Sequence, residues 1–432
     1  MNFCAARCTR RFFLLGGLFL DYRATILLYG ELLIALYLLW REGLLRSRTN
    51  QVLALSMVPL AFVLRYCFLT YETLDYQDWI AVWIQALRVA GPWKGLGQEI
   101  WSCNYNVPYL YFLSLFSVSD IYDLLLVKLL SIFFDVVLAW AAMRLVGVLT
   151  GDPMKKLAAF ILTLWLPSVV LNGSLWGQCD SIYAAFAVLA VYLALDDRPG
   201  LSVAAIALSI SFKLQGIFIL PAYFLFLLSG KIKWKHVLIF PAVYILSILP
   251  AVLAGRNFWE LLTLYLRNTA TIGDGLNYNS SSVYALLEFS GITNAAAARV
   301  GIMLTFFFCS GIYAWFVIRY QRINNNRVLF GAALLFAVGV PFFLPHMHDR
   351  YFFVADILTL ALAVAAPRFS LPAVCVSFGS LLGYHAYLKM RFLFPMRYGA
   401  IAMVLALVIL LIYTAMGMDR DTSESAPLPA EE

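Results

Sequence analysis

Long apolar runs separated by short polar breaks recur from one end of the chain to the other. The apolar residues follow one another without alternating in twos. Stretches of roughly 17–25 such residues are what a helix needs to cross a bilayer. A backbone in lipid must satisfy its own hydrogen bonds, so the continuous runs predict transmembrane helices. The expected spans are 51–69, 122–145, 157–170, 181–195, 201–212, 215–228, 237–254, 300–318, 328–343, 351–366, 371–387 and 398–416. The segment 24–40 is apolar but carries Glu31, and reads as a further span, half of a hairpin or an interfacial helix. The expected fold is an all-α polytopic membrane protein, a bundle of twelve to thirteen transmembrane helices over residues 51–416. Residues 1–50 form an N-terminal apolar segment without an assigned topology. Arg7, Arg10 and Arg11 precede the apolar stretch 12–20 as in a signal peptide, but no small-residue cleavage site follows, so it is expected to stay uncleaved. Residues 417–432, polar and acidic, are expected to be a disordered cytoplasmic tail.

Basic residues near span ends set the orientation. Arg41, Arg46 and Arg48, then Arg144, Lys155 and Lys156, then Arg198, then Lys231, Lys233 and Lys235, then Arg319, Arg322 and Arg327, then Arg368 occupy alternate loops, all expected to be cytoplasmic. The opposite loops are 70–121, 171–180, the turn at Lys213, 255–299 and 344–350. Lys389, Arg391 and Arg397 go against the bias. The scheme requires 107–118 to stay outside as an interfacial or re-entrant helix. Trp79, Trp83, Trp93 and Trp101 in the first external loop (70–121) predict amphipathic helices in the headgroup layer; the second long external loop is 255–299.

Composition agrees: 63% of the residues are hydrophobic and 13% charged, where a soluble protein has about a quarter charged. The net charge of +7 is accounted for by cytoplasmic loops, and no dense basic tract points to nucleic acid. Seven scattered cysteines give no disulfide framework; Cys103 and Cys179 share the external side, where packing is the ordinary fate of lone thiols.

The polar clusters fall on the external side. Asp75 and Asp78 sit just past the first clear span, where either can be a general base or a solvated loop acid. Tyr105 and Asn106 follow in the same loop. In Trp176-Gly177-Gln178-Cys179-Asp180, glycine permits a tight turn, Gln178 and Asp180 can bond sugar hydroxyls, and Trp176 can stack on a sugar ring. The plainer reading is a belt tryptophan beside an Asp180 that caps the next helix. Lys213, with Gln215 two residues on, lies between apolar stretches and needs a partner such as phosphate, or else snorkels to the headgroups. His346, His348, Asp349 and Arg350 suit an anion site, Arg350 gripping phosphate and the imidazoles donating hydrogen bonds or a charge. Against it stand a solvated loop with Asp349 paired to Arg350, and a metal site lacking its third ligand. The two carboxylates at 75 and 78 are not in a DxD spacing, so no metal or other cofactor is expected. Lys128 and Asp135, seven apart on one helix, suggest a buried charge pairing, with Arg65 among the partners, or a transport pathway. Asn277, Asn279 and Tyr284 add polar groups to the second external loop.

The residues Leu74-Asp75-Tyr76, Asn104 through Tyr111, Phe134-Asp135, Leu175 through Tyr183, Phe212 through Gln215 and Pro345 through Phe352 resemble, in identity and order, bacterial membrane mannosyltransferases related to the second GPI mannosyltransferase. More distantly they are similar to dolichyl-phosphate-glucose glucosyltransferases of the GT-C class. The similarity covers about residues 51–387. It implies a GT-C-like fold, a polyprenyl-phosphate hexose donor, a glycan or lipid-linked acceptor, and transfer with inversion outside the plasma membrane. It implies that Asp75 is the base, with Asp78 as runner-up, and that His346, His348 and Arg350, with Lys213, hold the donor phosphate. Tyr105, Asn106, Trp176, Gln178, Asp180, Gln215 and Tyr284 are expected to orient sugar or acceptor. The competing class is a flippase or transporter of a lipid-linked sugar that performs no covalent chemistry.

Overall fold

The computed structural model describes residues 21–101, 103–269, 275–286, 294–319 and 323–424. The signal-like stretch 12–20 lies outside them. Helices dominate: α1 (Tyr22–Arg41), α2 (Arg48–Tyr66), α3 (Ala81–Ala90), α4 (Val107–Phe116), α5 (Asp123–Thr150), α6 (Pro153–Trp165), α7 (Asp180–Leu195), α8 (Pro199–Phe212), α9 (Leu220–Leu228), α10 (Ile239–Leu253), α11 (Asn294–Ile318), α12 (Asn326–Phe343), α13 (Phe353–Ala365), α14 (Leu371–Leu388) and α15 (Met396–Glu424). Among the described residues, seven helical segments are long and apolar enough to cross a membrane, eight if the bent pair Pro153–Trp165 and Pro167–Trp176 counts as one. This is an all-α polytopic membrane protein. The expected twelve to thirteen crossings are reached only by adding shorter helices such as α7, α8 and α13. Segment 24–40 forms part of a 20-residue helix, one of those long and apolar enough to cross a membrane. The last helix runs to Glu424, past the point at which the disordered tail is expected to begin.

The 28-residue α5 is the axis of the bundle, buried on most sides and packed by α1, α6, α7 and α13. Its two ends define two ends of the molecule. At one, Arg144 and Lys156 bind Glu42, Arg144 meets Tyr192, Lys231 pairs with Asp197, and Asn326 donates to the Leu195 carbonyl. These are the loops that the charge pattern assigns to one side. At the other, Arg23 reaches Asp120, and Arg88 binds both Asp123 and the Ser117 carbonyl. Both ends of α4 lie there, since Ser114 bonds the Pro92 carbonyl and Asn106 caps the helix beside the polar clusters. Helix α4 therefore returns to the end from which it starts, as the orientation requires.

Inside the bundle, Arg65 and Asp135 form an ion pair with no solvent exposure. Asp135 also accepts from Ser181, and Arg65 donates to the Ala61 carbonyl. Lys128 does not join them. Its Nζ donates to the carbonyls of Phe68 and Tyr71, both at 2.6 Å, and so fastens the turn after α2.

Candidate active site

Three chain turns build the site. The first is the turn that Lys128 fastens, followed by Thr73, whose hydroxyl donates to the Trp176 carbonyl at 2.9 Å. Beyond it the helical backbone widens by one residue over Tyr76–Ile80, a geometry that often re-aims side chains at functional sites. Asp75 stands at its start. The second is another widened turn, Val170–Trp176, ended by Gly177 at φ +80°, which only glycine adopts without strain. The third is the loop between α12 and α13. It is held by a two-residue parallel strand pair, β1 (Asn277–Tyr278) with β2 (Met347–His348).

These turns bring together residues that are hundreds of positions apart. Asp75 Oδ2 accepts from Trp176 Nε1 at 2.9 Å and Gln178 Nε2 at 2.7 Å, and Oδ1 accepts from the Tyr387 hydroxyl at 2.6 Å. Arg350 lies 3.9 Å from Asp75, 3.3 Å from Asp180 and 3.7 Å from Asp349. Lys213 leaves the end of α8 in extended backbone and donates to Asp180, with Tyr105 and Tyr183 rings beside it at 5.0 and 6.0 Å. Asp180 also accepts from Asn172 at 2.8 Å, and Asn172 donates to Tyr384. A cavity of about 800 Å³ opens over this cluster. Asp75, Tyr105, Gln178, His348, Asp349, Arg350 and Tyr387 line it, with Trp79, Trp83, Trp101 and Glu99 facing them.

Charge is unevenly settled here. Burial pushes the Asp349 carboxyl up to about 7, and the neighbouring Asp75 and Asp180 add to the effect against the pull of Arg350. Burial, helped by the charges of Arg350 and Lys213, holds His348 down at about 4. His348 is therefore neutral at pH 7 and stacks on Tyr278 at 4.6 Å. It gives the cavity wall a neutral imidazole and no charge.

Several expectations are corrected. Trp176 cannot stack on a sugar: it has no exposure, Tyr387 covers one face at 4.1 Å, and its role is to donate to Asp75. Asp180 is no helix cap; it is the first residue of α7, after Cys179 in the cap position, and its oxygens go to Lys213 and Asn172. Lys213 does not snorkel, being 8% exposed and paired with Asp180. His346 turns away from the cavity at φ +62°, its Nδ1 2.7 Å from the Gly275 carbonyl. Asn106 is buried, capping α4 and donating to the Tyr244 hydroxyl. Gln215 meets the Tyr351 hydroxyl, and Tyr284 packs below the loop, 3.5 Å from the Phe343 carbonyl. Asp78 is exposed and does not line the cavity. Cys103 and Cys179 are free.

Sequence reasoning misses Tyr387, whose partner Asp75 is 312 residues away, and Asn172, only eight residues before Asp180, and assigns Trp79, Trp83 and Trp101 to the headgroup layer. Their clustering in one loop was the available signal.

No curated protein matches the chain significantly. Residues 105–345, more than half of the chain, match the family model Glycosyltransferase family 87. The matched stretch contributes Tyr105, Gln178, Asp180 and Lys213 to the cluster; Asp75, Arg350 and Tyr387 join it from outside. With a partly buried carboxylate–cation cluster at the wall of an open cavity, and this match across the helices that carry much of it, the chain belongs to glycosyltransferase family 87.

Proposed function

We propose that the protein moves a hexose, mannose being the sugar to which the sequence resemblance points, from a polyprenyl phosphate to an acceptor hydroxyl. The transfer takes place on the external face of the plasma membrane, with inversion. The observation that carries this reading is the 3.9 Å approach of Asp75 to Arg350 on the wall of a roughly 800 Å³ cavity. One side chain can take a proton and the other can meet a phosphate, within reach of the same anomeric carbon.

The acceptor hydroxyl attacks the anomeric carbon from the Asp75 side and gives its proton to that carboxylate. The bond from carbon to the phosphate oxygen breaks, and the polyprenyl phosphate leaves with the electron pair. Arg350 and Lys213 stabilise the charge that develops on it, and His348 donates a hydrogen bond. Each cation exchanges carboxylate contacts for phosphate oxygens. Gln178 and Trp176 hold Asp75 in place. Tyr105, Trp79 and Trp101 offer the apolar faces on which sugar rings rest. Two protein cations meet the leaving group, so the reaction proceeds without a metal.

The test is a transfer assay with purified protein, polyprenyl-phosphate mannose and a glycan acceptor, with and without chelator. Transfer that persists in chelator is expected. Transfer from a nucleotide sugar only, or from no lipid-phosphate sugar at all, overturns the reading, and the second result would favour a carrier. Labelling Cys103 and a cysteine placed at Lys233 with an impermeant reagent tests the side; reaction of both from one face breaks the orientation.

A further inference from the structure

The end of the bundle away from Asp75 carries a second concavity of about 430 Å³. Along α5 it lies about 27 Å from the site, at 1.5 Å per residue from Ser131, which donates to the Gln178 carbonyl, to Leu149. Three cations border it, each from a different segment: Lys155 from the start of α6, Arg327 from the start of α12, and Arg368 from the turn between α13 and α14. Leu149, Met416 and Tyr413 supply apolar wall.

Positive charge at this end is ordinary, since basic loops orient a membrane protein. The pairing is not uniform, however. Arg144 and Lys156 share Glu42, Arg198 pairs with Asp196, and Lys231 pairs with Asp197. Lys155, Arg327 and Arg368 have no carboxylate partner among the described residues, and no acid lines their cavity. Lys155 is instead fixed by donating to the Ala365 carbonyl at 3.0 Å, which leaves two of its N–H groups to offer. Arg368 lies over the Phe369 ring, whose edge meets Tyr413. Orientation alone calls for neither a shared cavity nor three cations converging on it with no acid among its described lining residues. A phosphate with an apolar attachment satisfies both the cations and the wall.

We propose that the Lys155–Arg327–Arg368 cavity binds the phosphate group of an anionic membrane lipid. The site is independent of sugar transfer and stands or falls separately from it.

Native mass spectrometry of the detergent-purified full chain, titrated with phosphatidylglycerol or phosphatidylcholine, tests this. Phosphatidylglycerol is expected to bind more tightly. The exposed pair Arg327→Gln and Arg368→Gln is expected to weaken it about five-fold for each cation removed. Lys233→Gln with Lys235→Gln, basic positions at the same end outside the cavity, is expected to leave it unchanged. Millimolar inorganic phosphate that displaces the lipid supports a phosphate site open to soluble anions; phosphate that fails to displace it supports the lipid as the source. Equal binding of the two lipids overturns the proposal, as does wild-type affinity in the Arg327/Arg368 variant. Should that pair unfold the protein, Arg368→Gln alone carries the same expectation.

Discussion

Arg65 and Arg350 both meet aspartates inside the same bundle, but on different terms. Arg65 gives Nε and one Nη to Asp135 at 3.1 and 3.0 Å and its other Nη to Ala61, while Ser181 takes the second carboxylate oxygen. Nothing is left over. Arg350 faces three carboxylates at 3.3 to 3.9 Å, and its Nε finds no hydrogen-bond geometry with any. The first pair is closed and dry; the second is spread thinly along a cavity wall. Identical chemical groups are thus fully engaged in one place and loosely paired in the other, and the loose geometry is what the proposed reading assigns to anion binding.

The largest effect expected on this comparison is at the open end. Asp75→Asn should lower the transfer rate by about 10²–10⁴-fold, the usual worth of a positioned base, with thermal unfolding nearly unchanged. Retained transfer would remove Asp75 as the base. At the closed pair, Arg65→Met leaves Asp135 buried and alone, and should cost about 3–5 kcal/mol in denaturant unfolding while sparing turnover per folded molecule. Adding Asp135→Leu should recover most of that stability. Arg350→Lys keeps the charge but loses the fork, so a fall of about 10²-fold in kcat/KM is expected with little change in stability. A smaller effect belongs to His348. Its folded pKa, about 4, lies below the ordinary 6.5, so its contribution to stability is present above pH 6.5 and is lost as pH falls through 4. His348→Gln should therefore flatten the loss of Tm between pH 6.5 and 4. Smallest of all, Asp78→Asn should change transfer less than about two-fold, since Asp78 is an exposed residue off the cavity.

Much of this was legible beforehand because a membrane restricts where polar residues can gather. Loops on one side of a bilayer share a plane, so the apolar runs and the basic bias of alternate loops put Asp75, Gln178, Lys213 and Arg350 on one side, and the family resemblance suggested their roles. The Arg65–Asp135 pairing could be named for a related reason: charges buried in helices must find each other. What escaped depends on side-chain direction. Tyr387 is 312 residues from Asp75, on a helix whose end looked anomalous for its positive charge. Trp176 reads as a sugar platform until Tyr387 is seen lying on it. Asp180 reads as a cap until its tertiary partners outbid the local backbone. His346 belongs to a basic motif, yet a left-handed backbone turns it toward another loop.

That turn has a mechanical consequence. The His346 amide donates to the Leu276 carbonyl at 2.8 Å, its ring sits on Gly275, and Tyr278 lies flat against His348. Residues 275–278 and 346–348 are thereby laced into one short ribbon. A pull on either strand is felt by the other, so under the proposed reading an acceptor that displaces residues 275–278 also tugs the segment bearing Arg350. Substitutions at Asn277 or Tyr278, neither of which lines the cavity, should then surface as altered grip on the donor.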